Sequence, residues 1–201
     1  DGNEVYILDS LSNSSKKSLD KIKLIFSQKN IDISNKLYFF KGDLRDKEFI
    51  DSVFKKVKNK GHSFDGVIHF AGLKAVSESI NHPLKYWENN VIGSFNLFKS
   101  MIENNCKTIV FSSSATVYGN SKEELLKESS NINPLNSYGS TKFAVENLLK
   151  NIHETKTNEW NIAILRYFNP IGAHYSGLIG EDPIEKPNNI FPLIINAAYE
   201  K

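Results

Sequence analysis

The 201-residue sequence has a single cysteine, no long apolar run and almost no surplus of either charge, and each shortage closes off a class of function. The lone Cys106 cannot form an internal disulfide or a cysteine-rich metal site, so we expect a reducing, cytoplasmic setting and no bound metal. It stands just before Ile109-Val110-Phe111, where packing is a better use for a thiol than nucleophilic attack. No stretch approaches the roughly 18 apolar residues of a membrane span, and no secretory signal pattern opens the chain. With 25 basic against 23 acidic residues, nothing in the charge balance argues for nucleic acid or an anionic membrane as partner. The lysines are scattered through helical stretches, as in Lys55-Lys56-Val57-Lys58, which reads as a solvated face, and there is no internal repeat.

What is present is the composition of a globular domain, 40% hydrophobic and 24% charged, in which short apolar runs alternate with segments of helical period. That alternation predicts an α/β fold with a parallel sheet. Strands are expected at 4–8, 36–41, 66–70, 108–112 and 162–167, and the continuous run Val67-Ile68-His69-Phe70 predicts burial on both faces. Helices are expected at 18–29, 47–59, 83–104 and 138–155, with a last one near 191–200. In the third of these, Leu84, Trp87, Val91, Phe95 and Phe98 recur every three or four residues and predict an inward stripe. From Pro170 onward glycine and proline become frequent, and an ordered irregular region is expected.

Open parallel sheets gather ligands at the carboxyl ends of their strands. After the first strand stands Asp9, able to accept both hydroxyls of a ribose. After the second comes Asp43, able to reach an adenine amine or to cap a helix. Ala71 and Gly72 follow the third and leave room for a close ligand, with Lys74 behind them. The fourth delivers Ser112, Ser113 and Ser114, and the fifth ends in Tyr167-Phe168-Asn169. Between these last two lies Tyr138-Gly139-Ser140-Thr141-Lys142. A tyrosine and a lysine four apart share a helix face, about 6 Å apart along the axis. A cation at that distance pulls a phenol pKa down by roughly two units, and a second positive charge would bring it near neutrality.

The strings Phe70-Ala71-Gly72-Leu73-Lys74-Ala75-Val76, Ser112-Ser113-Ser114-Ala115-Thr116-Val117-Tyr118-Gly119, Tyr138-x-x-x-Lys142 and Arg166-Tyr167-Phe168-Asn169-Pro170 resemble the UDP-glucose 4-epimerases of the extended short-chain dehydrogenase/reductase family. Gly180-Glu181-Asp182-Pro183 and Pro187-Asn188-Asn189 resemble their substrate-side segments. The resemblance implies a Rossmann-like doubly wound parallel sheet over residues 1–169 and the start of a smaller substrate-binding region over 170–201. It implies NAD as cofactor, a UDP-sugar as substrate, and inversion of the hexose at C4 through a 4-keto intermediate. Tyr138 would be base and acid, Lys142 its electrostatic partner, and Ser114 the hydrogen-bond partner of the reacting hydroxyl. Asp9, Asn13, Ser14, Asp43, Leu44, Phe70, Ala71, Gly72, Lys74, Asn89, Tyr138, Lys142 and Phe168 would line the cofactor. Ser114, Asn169 and Asn189 would hold the nucleotide-sugar. Helices 83–104 and 138–155 correspond to those that pair in homodimers.

That family opens with a strand and a glycine-rich phosphate-binding turn, and no G-x-x-G-x-x-G occurs here. The chain is therefore expected to be a piece of a longer protein. Two rival functions are a nucleotide-sugar 4,6-dehydratase, whose members typically carry Asp-Glu where this chain has Ala115-Thr116, and a noncatalytic NAD-binding scaffold.

Overall fold

Five strands and seven helices account for most of residues 2–155, 159–181 and 189–199, which the computed structural model describes. They divide into two units, residues 1–43 with 169–201, and residues 44–168.

In the first unit β1 (Val5–Asp9) and β2 (Leu37–Lys41) run parallel, with Val5 opposite Leu37 and Asp9 opposite Lys41, joined by helix α1 (Lys17–Ser27). Tyr6 stacks on Tyr38 across this pair, ring centroids 4.5 Å apart. This is the cross-strand aromatic contact that favours one register over a slip. Helix α7 (Ile190–Tyr199) lies where the sequence predicted one, although none of its residues is buried.

The second unit carries β3 (Val67–His69), β4 (Thr108–Ser114) and β5 (Asn161–Tyr167) as a parallel sheet in the order β3-β4-β5. Helix α2 (Lys47–Lys58) precedes it, and its N-cap is Asp46, whose side chain accepts from the Phe49 N–H at 2.9 Å. Capping is thus not the role of Asp43. Between β3 and β4 come α3 (Val76–Asn81), which sequence periodicity missed, then α4 (Pro83–Tyr86), a π turn (Trp87–Ile92) and α5 (Gly93–Glu103). A 3₁₀ turn (Ala115–Tyr118) follows β4, and α6 (Ser137–His153) leads to β5. Parallel strands separated by helices are the Rossmann-like α/β class that the sequence predicted.

Two expectations about burial fail for physical reasons. Register places Val67, Ile109 and Ile162 on one face with His69, Phe111 and Ile164, and the buried Ile109, Phe111 and His69 make that face the core. The opposite face carries Ile68, 65% exposed, with exposed Leu165. Val67-Ile68-His69-Phe70 is apolar on both sides yet covered on one. The stripe over 83–104 is also displaced: Leu84 and Phe95 are 82% and 50% exposed, Trp87 is exposed, and only Phe98 of the five is buried. The inward residues are instead Tyr86, Asn90, Ser94, Leu97 and Met101. This face is partly polar because it hydrogen-bonds to neighbouring backbone: Tyr86 Oη donates to the Ala75 carbonyl at 2.7 Å, and Asn90 and Ser94 bond further in. Counting apolar residues therefore selects the wrong side of the helix.

Gly119 ends the 3₁₀ turn at φ 60° and ψ −138°, a region that residues with a Cβ strongly avoid, and an added Cβ would collide with the Asn133 carbonyl. Gly119→Ala should cost at least ~2 kcal/mol of stability. Urea unfolding of parent and variant checks this through a lowered midpoint at unchanged slope.

Candidate active site

Three elements of the second unit converge on the carboxyl end of β4. The backbone sets the first contact: Ser112 turns its carbonyl to Lys142, whose ammonium donates to it at 2.8 Å. Ser114, at the strand end, accepts from the Thr116 N–H at 3.2 Å and the Thr116 hydroxyl at 2.9 Å, which starts the 3₁₀ turn. Asn136 caps α6 by accepting from the Gly139 N–H at 2.8 Å, so Tyr138 stands in the first turn and Lys142 one turn below it. The Ser114 hydroxyl is close enough to the Tyr138 phenol to act on its ionisation, holding its pKa down.

Lys142 is almost wholly buried. Its ammonium lies 5.9 Å from the Tyr138 ring centroid and 5.0 Å from that of Phe111, and burial brings its pKa down to about 8. Tyr138 departs from what the spacing predicts. Burial lifts its phenol above the ordinary value and the Ser114 hydroxyl only partly offsets this. Desolvation of the phenolate is the larger influence, because withdrawing the phenol from water disfavours its charged form.

Beneath the pair lies Asn90, a residue missed by the sequence reading, which singled out the half-buried Asn89. Asn90 occupies the π turn and is buried. Its Oδ1 accepts from Leu73 N–H at 2.8 Å, and its Nδ2 donates to the Leu73 carbonyl at 3.0 Å and the Thr141 hydroxyl at 3.2 Å. Thr141 in turn donates to the Tyr138 carbonyl at 2.7 Å. The clue in the sequence was the polar pair Asn90 and Ser94, one turn apart in an apolar helix.

This clamp draws the loop after β3 onto the site. Gly72 has φ +154°, and a Cβ there would meet Asn90 Oδ1 at 3.2 Å and Lys142 Nζ at 3.6 Å. Phe70, Ala71 and Lys74 are exposed on the same loop, as is Phe168 after β5. The Leu44 carbonyl accepts from Asn96 at 3.2 Å. In the other unit, Asp9 closes β1 with its Oδ1 accepting from the Leu11 N–H and the Ser14 hydroxyl, both at 2.7 Å. Its second oxygen has no hydrogen-bond partner among the described residues, and Asn13 is exposed beside it. Asp43 and Asn169 belong to that unit too, as does Asn189, whose amide donates to Glu181 at 2.9 Å. Asp182, Pro183, Pro187 and Asn188 lie outside the described residues.

Each unit taken by itself has chemistry suited to part of a nucleotide: in the first, a carboxylate with one oxygen held and one clear suits a ribose diol, and in the second, Gly72 leaves room beside a buried ammonium. Among the described residues no group of three or more His, Cys, Asp or Glu could hold a metal.

A family model described as GDP-mannose 4,6 dehydratase matches residues 1–201. The chain belongs to that family, within the extended short-chain dehydrogenases/reductases. Individual relatives bear another activity in their names. A UDP-glucose 4-epimerase of Bacillus subtilis is 46% identical over 100% of the chain and 55% of its own length. UDP-glucose 4-epimerase 2 of Arabidopsis thaliana is 44% identical over 98% of the chain and 53% of its own. The crystal structure of the Bifidobacterium longum UDP-glucose 4-epimerase, in complex with NAD+ and UDP, superposes with a TM-score of 0.87 at 39% identity, over 98% of this chain and 56% of that one. The chain thus spans about half the length of the curated relatives it matches.

His69 lies under this site, its Nε2 2.8 Å from the Ser94 hydroxyl, and burial, with the Lys142 charge second, takes its pKa from 6.5 down to about 3. Below pH 6.5 the unfolded chain binds a proton there that the folded chain refuses, so stability falls as pH falls toward 3. At pH 5 this costs about 2 kcal/mol. Chemical denaturation of parent and His69→Gln between pH 5 and 8 should show that slope in the parent and its loss in the variant.

Proposed function

We propose that the protein containing this chain interconverts UDP-glucose and UDP-galactose by inverting C4 of the hexose through a 4-keto intermediate, with NAD as resident cofactor. The observation that carries the reading is the Tyr138 ring beside a buried lysine ammonium that is anchored on the Ser112 carbonyl at the carboxyl end of β4. The epimerases at 44% and 46% identity support it. NAD, when bound, supplies reversible acceptance of a hydride from the sugar C4. The Tyr138 oxygen takes the proton of the C4 hydroxyl during oxidation and returns it after the ketone has turned over, so no external redox partner is needed. Ser114 aligns that hydroxyl. Lys142 holds the nicotinamide ribose and stabilises the phenolate.

Burial keeps the Tyr138 phenol above its ordinary pKa, so Lys142 alone leaves it protonated at neutral pH. A second positive charge beside it, such as an oxidised nicotinamide, is required for it to act as base. Asp9, Asn13, Ser14, Asp43 and Leu44 serve the adenosine half, and Phe70, Ala71, Gly72, Lys74, Asn89 and Phe168 the remainder. Asn169 and Asn189 hold the nucleotide-sugar. In this reading residues 1–169 serve the cofactor and 170–201 begin the substrate region.

Dehydration, the activity in the family's name, needs a further acid and base at the sugar. Positions 115 and 116 provide neither: Thr116 spends its hydroxyl on Ser114. In the complete protein, Tyr138→Phe should lower the rate of UDP-galactose epimerisation about a thousandfold while leaving thermal melting and NAD binding unchanged. Activity within tenfold of the parent would remove Tyr138 from the mechanism, and a parent that binds NAD without turnover would favour the scaffold.

The same proposal includes a homodimer through the helical stretch 83–104 and α6. Leu84, Trp87, Ile92 and Phe95 are apolar side chains left exposed, and a second copy would cover them. Phe95→Glu should convert dimer to monomer in sedimentation velocity; an unchanged dimer would exclude this face.

A further inference from the structure

Below the Tyr138–Ser114 contact lies a buried charge cluster that the proposed chemistry does not use. Glu146, one turn after Lys142 and two after Tyr138 on α6, is 0% exposed. Its Oε1 accepts from the Ser113 hydroxyl at 2.5 Å and Arg166 Nε at 2.9 Å, and its Oε2 from Arg166 Nη2 at 2.7 Å. Arg166, on β5, uses Nη1 to donate to the Tyr118 hydroxyl oxygen at 2.7 Å and the Glu128 carbonyl at 3.1 Å. Its guanidinium also lies 4.9 Å from the Tyr118 ring centroid.

One carboxylate therefore ties together α6, the end of β4, β5 and the far end of the 3₁₀ turn. Ser113 and Tyr118 bracket the residues that start with Ser114, so both ends of that short turn are held by the same ion pair. An ion pair this buried is a poor stabiliser, since apolar side chains of equal volume usually do as well. What apolar side chains could not do is dictate where a serine hydroxyl and a tyrosine hydroxyl point. A bidentate guanidinium and carboxylate do so through fixed planar geometry.

We propose that Glu146 and Arg166 are positioning residues of the reaction, holding Ser113 and Tyr118 so that Ser114 stays in register with the Tyr138 hydroxyl. This rests on the reading of Tyr138 as acid and base. The cluster touches neither substrate nor cofactor, and acts through Ser114.

The test uses the complete protein with NAD and the variants Glu146→Gln, Arg166→Lys and Ser113→Ala. Steady-state kinetics with UDP-galactose are read beside an ultraviolet difference titration of the Tyr138 phenol, with Tyr138→Phe as blank. Glu146→Gln and Arg166→Lys should lower kcat about 10- to 100-fold per folded molecule, with KM changed by less than about threefold. Ser113→Ala should lower kcat about three- to tenfold. In each, the phenol midpoint should move up as Ser114 drifts from the phenol that it acts on. Ser113→Ala leaves the ion pair intact, so it decides the matter if Glu146→Gln fails to fold. Parental kcat and an unmoved phenol midpoint in the folded variants, with loss confined to the melting temperature, would overturn the proposal. Full activity in Tyr138→Phe would instead sink the base assignment, while the titration would still report whether the pair aligns Ser114 with Tyr138.

Discussion

Burying the ammonium of Lys142 is the constraint around which the second unit is arranged. An ion withdrawn from water costs several kcal/mol unless its donors find acceptors and its charge finds polarisable neighbours. Here the Ser112 carbonyl and the faces of Phe111 and Tyr138 meet that need. The contacts with Ser112 and Phe111 hold α6 against β4, so burying the cation also fixes the distance between helix and sheet. The same crowding explains Gly72, where any side chain would enter the space beside the ammonium.

Polar groups line the underside of the site where an ordinary core would be apolar. Asn90 clamps the loop after β3 and reaches Thr141, while Glu146 gathers Ser113 and Arg166 from below. Among the described residues no buried polar side-chain atom lacks a hydrogen-bond partner. Complete satisfaction is what makes such a layer tolerable, and it converts desolvation cost into directional constraint. The π turn over Trp87–Ile92 belongs to this design, since Asn90 projects inward from it.

Where sequence reading succeeded, the signal was local and strong. The strands at 108–112 and 162–167 appear as Thr108–Ser114 and Asn161–Tyr167, and the helix at 47–59 as Lys47–Lys58, because β-branched runs and amphipathic spacing are written residue by residue. Where it failed, the signal depended on neighbours. The face of 83–104 was assigned by hydrophobicity, yet Tyr86, Asn90 and Ser94 turn inward because backbone carbonyls and amides there accept and supply their hydrogen bonds. One charge at one distance predicts a lowered Tyr138 phenol, whereas burial, which no spacing reveals, raises it.

The chain by itself determined the parallel α/β class, the family, and the one-turn spacing that places Tyr138 and Lys142 on a common helix face. Those follow from periodicity and from residue types in fixed local order. Only the tertiary structure decided that the Lys142 ammonium is buried on the Ser112 carbonyl, that Asn90 lies beneath the pair, and that Glu146 and Arg166 grip the turn bearing Ser114. Desolvation and hydrogen-bond geometry join residues 20 to more than 50 positions apart, so these arrangements exist only once strands and helices have packed.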